Sequence, residues 1–407
     1  MSVPGPTAGT RLEGSVPGGV LSGSVVQRVR GAHLGMVPIV GALLVIWAVL
    51  GVVNPAFLSA ENLVNLTLQS VPVGVIALGV VLVLLVGQID LSVGSVSGLA
   101  AALLAVGTVN LGWPVWVAVL AALSVGVVVG LGYGVLSTRL GLPSFVFTLA
   151  GLLVLAGVQL VVLGPKGSIN LPFESWFVRT VQQGFLPTPL AWVLVAAVVA
   201  AYAAVLAVDH VRRVRAGLRG PGTGTGRIAG RTAVLAAVLA AAVAYLGTAR
   251  GVGYTVVLFV ALVAVVDLLL RRTRWGRSVR AVGGDRRSAL LAGVAVRRTV
   301  VSCFVACSTF AALGGVLAAG RLAAANQGTG AADTYLTAIA AAVIGGTSLF
   351  GGRGSAWSAL LGVLVIQSIA NGLTLLNLDA ATRYIATGAV LLLAIVVDML
   401  LRGRREI

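Results

Sequence analysis

Asp90 is a carboxylate in a place where carboxylates are costly. It stands in Gly87-Gln88-Ile89-Asp90-Leu91-Ser92-Val93-Gly94-Ser95, between two apolar runs with almost no loop. An acid at membrane depth faces a cavity or a partner rather than lipid. The flanking glycines and serines are those of a broken helix whose freed backbone groups are satisfied locally. Two roles stay open. Gln88, Asp90 and Ser92 line or brace a polar path, or Asp90 caps a helix starting at Leu91, helped by Ser92 and Ser95. Amides form two further stripes. Asn62, Asn65 and Gln69 recur at spacings of three and four, and Gln367 and Asn371 lie one turn apart, with Thr374 beyond. Amides both donate and accept. They either line a wet path suited to a hydroxylated solute or join helices across an apolar interior.

Other chemistries lack their residues. The run Gly345-Gly346-Thr347-Ser348-Leu349-Phe350-Gly351-Gly352-Arg353-Gly354 is glycine-rich, but a phosphate-cradling P-loop needs a lysine after its glycine. The chain's one lysine is Lys166, so these glycines read as a tight re-entrant turn. There is no His-Glu-x-x-His pair, and His33 and His210 lie in basic flanks, so neither a metal site nor a catalytic triad is expected. Cys303 and Cys307, one turn apart in an apolar run, read as small buried hydrophobes.

The elements that must hold these residues are apolar. The chain is 58% hydrophobic and 10% charged, whereas a soluble chain carries about a quarter charged residues. The class is an all-α polytopic membrane protein. Spans of about 20 apolar residues are read at 36–53, 71–86, 91–109, 113–136, 144–163, 190–208, 232–247, 254–270, 300–319, 335–350, 355–376 and 383–401. That is about 12 spans (10–12 if some are re-entrant). Residues 1–35, rich in Gly, Ser and Pro, read as a disordered tail, 36–401 as the membrane domain, 209–231 as a flexible linker and 402–407 as a second tail. With both termini cytoplasmic, the inner segments hold 23 basic residues and the outer ones 5, as the positive-inside rule requires. The net charge of +17 is therefore an orientation signal and does not point to nucleic acid. Gly126, Gly130 and Gly134 share one helix face and predict close packing against another helix.

The segment 271–298 holds nine arginines and one acid, Asp285. Gly283-Gly284 is expected to break the preceding structure, and Asp285 to cap a short helix. Ala289, Leu290, Gly293 and Val294 then form an apolar stripe at helical spacing. Such a helix between two spans fits docking onto a soluble partner. The alternative is a basic loop that fixes topology or rests on anionic lipid.

Four segments, Gly87–Ser95, Leu142–Gly151 (LPSFVFTLAG), Thr273–Val294 (TRWGRSVRAVGGDRRSALLAGV) and 345–354 (GGTSLFGGRG), occur in an order and spacing that resemble the permease subunit of bacterial ABC monosaccharide importers of the ribose/xylose/galactose class. The resemblance runs from about residue 36 to the C-terminus. It implies a second permease copy, a cytoplasmic ATPase subunit that binds the ATP, an extracytoplasmic sugar-binding protein, a place in the bacterial cytoplasmic membrane and no cofactor in this chain. The segment with Gly283, Gly284, Asp285, Ala289, Leu290 and Gly293 matches the family's ATPase-coupling region. Many xylose-type members have Glu where this chain has Gln88, and many members have Asn where it has Asp285. The extra pair of spans around 209–231 is similar to the longer, xylose-type permeases. The rival reading, a secondary sugar or ion symporter, requires membrane acids, of which Asp90 is the main candidate, with Asp267 and Asp398 nearer the ends of their runs.

Overall fold

In chain order the helices are α1 (Val37–Val53), α2 (Ala60–Leu85), α3 (Val93–Ala105), α4 (Val115–Val135), α5 (Ser144–Leu163), α6 (Trp176–Gln183), α7 (Thr188–Arg215), α8 (Thr225–Gly247), α9 (Tyr254–Arg272), α10 (Arg274–Gly284), α11 (Arg286–Leu291), α12 (Val296–Leu322), α13 (Ala332–Ile344) and α14 (Ala356–Leu375). Two short strands, β1 (Ser168–Asn170) and β2 (Ala324–Asn326), complete the fold. This is a computed structural model, and it describes residues 36–217 and 225–379 and seven positions between 381 and 392. Among the described residues, nine helices are long and apolar enough to cross a membrane, and α1 and α13 are shorter apolar helices. The expected tails 1–35 and 402–407 lie outside the described residues, as does most of the expected span 383–401.

Three expectations are corrected. The span expected from residue 71 begins at Ala60. The Ser59 hydroxyl accepts from the Asn62 N–H at 3.3 Å, so the amide stripe belongs to the first turns of α2 and is not a preceding loop. The expected linker 209–231 is helical through Arg215 and again from Thr225. Arginine is a good helix former and suits the negative end of a helix dipole. The expected break at Gly283-Gly284 falls one residue later, because α10 runs through both glycines and ends at Asp285.

α12 is the central helix and packs against α2, α3 and α4. The face of Gly126, Gly130 and Gly134 lies on it as expected. A Cβ at these positions would come within 2.5 to 2.8 Å of Ser308 O, the Val305 Cα and the Val301 Cα. With no side chain between them, the two backbones meet. α2 is buried along most of its length, whereas α8 has no buried residue and α7 only Ala191. Two apolar helices exposed all along are what lipid, rather than water, can accommodate. At 27 residues and 1.5 Å per residue, α12 is about 40 Å long. It joins two chemically different ends, one with α10 and α11 and the other with β1 and β2.

Candidate functional site

At the arginine-rich end three glycine turns converge. Gly283, in the last turn of α10, lies so close to the end of α2 that a Cβ there would overlap the Leu85 carbonyl oxygen. That carbonyl accepts from the Gly352 N–H at 3.0 Å. A Cβ on Gly351, whose φ is +90°, would come within 2.8 Å of the Gly283 carbonyl oxygen and 3.0 Å of the Gly87 nitrogen. Gly87, Gly351 and Gly352 all adopt positive φ, which glycine does at little cost. The run 345–354 is thus a tight turn, and it is clasped by α10. Segments 87–95, 273–294 and 345–354 meet at one point, where their closest approaches are backbone to backbone.

Asp90 lies just beyond this junction and is 1% exposed. Its Oδ1 accepts from the Ser92 N–H at 2.9 Å and the Ser92 hydroxyl at 2.7 Å. The expected cap is corrected in detail. The helix begins at Val93, two residues later than expected, and Ser92 holds the cap position without a side-chain cap bond. Asp90 braces the turn in front of it. The turn is also tied to α5, because the Ile89 N–H donates to the Ser144 hydroxyl at 3.0 Å and the Leu91 N–H to Thr148 Oγ1 at 3.2 Å. Gln88 is half-buried and accepts from the Ser137 hydroxyl at 3.2 Å. Asp90 Oδ2 and the Tyr133 hydroxyl are buried with no hydrogen-bond partner among the described residues.

α11 presents a different face from the one expected. Asp285 caps α11, accepting from the Arg287 N–H at 2.8 Å and the Ser288 hydroxyl at 2.7 Å. These bonds, Ser288 first, hold its carboxyl below the usual carboxylate range. α11 ends at Leu291 after six residues, so Gly293, with φ +77°, lies in the turn that follows and not on the helix. Ala289 is buried against the chain's own fold. The exposed apolar pair is Leu290, 64% exposed, and Leu291, 82% exposed, and the 345–354 turn adds Phe350 at 87%. Leu291 was missed, because a strict stripe count ignores the neighbour that so short a helix also exposes, and Phe350 because it lies on a separate turn distant in sequence. α10 is pinned to α12 by Trp275 Nε1 donating to the Ser302 hydroxyl at 2.8 Å.

The opposite end is joined by side chains. Asn62 and Asn371 form a reciprocal amide pair, Nδ2 to Oδ1 at 2.8 and 3.1 Å, which links α2 to α14. Gln367 Nε2 donates to the Gln69 carbonyl at 3.2 Å, and Arg250 donates to Asn65 Oδ1. The antiparallel pair β1–β2 aligns Ser168 with Asn326 and Asn170 with Ala324. Gln159, buried in α5, donates to the Asn326 and Thr329 carbonyls at 3.1 and 2.9 Å. It is the sole amide in an apolar run, a signal the sequence carried unread. Asp267, a rival coupling acid, is instead engaged by Arg271 at 2.9 Å, and Asp398 lies outside the described residues.

The chain is 32% identical to the xylose transport system permease protein XylH of Escherichia coli K12 over 349 residues, 86% of this chain and 87% of that one. It is 33% identical to XylH of Haemophilus influenzae over 84% of this chain and 90% of that one. Identity to the ribose import permease protein RbsC of E. coli K12 is 29%, over 88% of this chain and 91% of that one. No solved structure matches. Residues 62–395 match the family described as the permease component of branched-chain amino acid transport systems. That match takes in all three segments of the glycine junction and both members of the amide pair, and the chain therefore belongs to this family of membrane permeases.

Proposed function

We propose that this chain is the permease subunit of an ATP-driven ABC importer that carries a monosaccharide, D-xylose, inward across the bacterial cytoplasmic membrane. The likeness to two xylose permeases over most of their length supports the substrate. The observation that carries the mechanism is the glycine junction. The arginine-rich segment touches the ends of the two segments, 87–95 and 345–354, that break the membrane helices. In this reading the arginine-rich end faces the cytoplasm, both termini lie there, and the ATPase subunit docks on Leu290, Leu291 and the Asp285-capped turn. Its movements reach the helix ends through Gly283 without a compressible side chain between. The sugar-binding protein meets the opposite end, and a second copy of the chain completes the permease. Gln88, Asp90 and Ser92 border the path near the junction. Asn62, Asn65, Gln69, Gln367 and Asn371 stand along its other end, where a hydroxylated solute can take over the bonds that Asn62 and Asn371 make to each other, that Asn65 accepts from Arg250 and that Gln367 donates to the Gln69 carbonyl.

Uptake of labelled xylose into vesicles that hold the permease, its ATPase and the binding protein tests this. Wild type and Asp90→Asn, which keeps the bond from Ser92, should both take up xylose with ATP and neither with an imposed proton gradient alone. Ribose should compete weakly. Uptake by wild type without ATP, lost in Asp90→Asn, would replace this mechanism with a symporter.

A further inference from the structure

A groove of about 740 Å³ opens on the surface between α4 and α12. Arg297 and Arg298 stand at one end, and Val301, Ala306 and Phe310 continue it along α12, with Leu131 of α4 on the facing wall. Both arginines are exposed, and neither makes an ion pair among the described residues. The lining below them is mostly apolar, with Ser302 and Thr309 as its polar members. From Arg298 to Phe310 is 12 residues of helix, about 18 Å, close to the depth of one leaflet, roughly half of a ~30 Å hydrocarbon core. A double positive charge at the helix end above a leaflet-long apolar trough is complementary to one chemistry, an anionic headgroup with an acyl chain beneath it.

We propose that this groove binds an anionic phospholipid, with the headgroup phosphate between Arg297 and Arg298 and an acyl chain along α12. The occupant is distinct from the transported solute, and the site stands whatever that solute is. Charge selects this occupant over a second copy of the chain, because two copies meeting here would bring four unpaired guanidinium groups together. Groups of like charge repel when desolvated.

The test is native mass spectrometry of the full chain released from nanodiscs of phosphatidylcholine doped with phosphatidylglycerol. Wild type should retain phosphatidylglycerol in preference to phosphatidylcholine. Arg297→Gln with Arg298→Gln should lose that preference by on the order of tenfold, the weight of two charges near a headgroup. Ala306→Trp, which fills the trough and leaves both charges, should also lose it. Arg212→Gln with Arg213→Gln, the same charge removed from the end of α7, should not. Equal loss in the α7 pair would reduce the effect to net charge and overturn the site. Unchanged retention in Ala306→Trp, together with conversion of a dimer to monomers, would assign the groove to a second copy instead.

Discussion

The two ends of the helix bundle are held by opposite means. At the arginine-rich end, α10, the end of α2 and the 345–354 turn make their closest contacts through glycine backbone, at Gly283, Gly351 and Gly352. At the other end, α2 and α14 are joined by the Asn62–Asn371 amide pair, and α5 is joined to β2 by Gln159. Backbone contact is stiff and leaves no room for any added atom. Amide pairs are directional but replaceable, because water or a solute can take the place of either partner. In the proposed function, the first end transmits and the second exchanges hydrogen bonds.

The largest expected effect separates two adjacent glycines. Gly283→Ala forces a Cβ into the Leu85 carbonyl, and overpacking of this kind costs about 1–3 kcal/mol. The thermal transition should fall and ATP-dependent uptake should be lost. Gly284, also in α10, has nothing within 4 Å of where an added methyl would stand, so Gly284→Ala should be neutral or slightly stabilising, by up to about 1 kcal/mol. Equal loss in both would remove the junction from the account.

An intermediate effect is expected at the amide end. Asn371→Ala removes the cross-helix partner of Asn62, which is half-buried and keeps its bond to the Phe57 carbonyl at 2.8 Å, so the loss should be about 1 kcal/mol, the worth of an ordinary hydrogen bond. The double replacement Asn62→Leu with Asn371→Leu should recover part of that loss in melting experiments, since neither partner is then stranded. A double variant as unstable as the sum of the singles would mean that the two amides act independently.

What was legible in the sequence follows from range. The Gly126/Gly130/Gly134 face and the Asp285 cap depend on neighbours within a few turns, and each was found as expected. The glycine junction joins residues near 87, 283 and 351, and no local pattern shows that three separate glycine-bearing segments meet. The stripe Ala289–Leu290–Gly293 failed for a related reason. Helical spacing was assumed across a helix that Gly293, in a left-handed turn, cannot continue. The start of α2 was hidden because its first turns are too polar to count toward an apolar span, and it is α14 that satisfies them.

The smallest effect concerns the Asp285 cap. Its carboxyl is held below the usual range by Ser288 and the Arg287 N–H. A lowered folded-state value means that the cap contributes fully above the ordinary carboxylate range, near 4, and is lost as pH falls below it. Proteolysis at the neighbouring arginines should stay slow at neutral pH and quicken under acid, and Asp285→Asn should flatten that dependence. An unchanged acid response in the variant would show that other carboxylates control it.

The most direct test of the division between the ends is cross-linking. Cys303 and Cys307, both buried, are replaced by alanine, and single cysteines are placed at Leu290, 64% exposed, and at Ser168, exposed on β1. A thiol cross-linker applied to the assembled complex should join Leu290→Cys to the ATPase subunit and leave Ser168→Cys unlinked to it. Capture of the ATPase from position 168 and none from 290 would contradict the assignment of the arginine-rich end as the coupling surface.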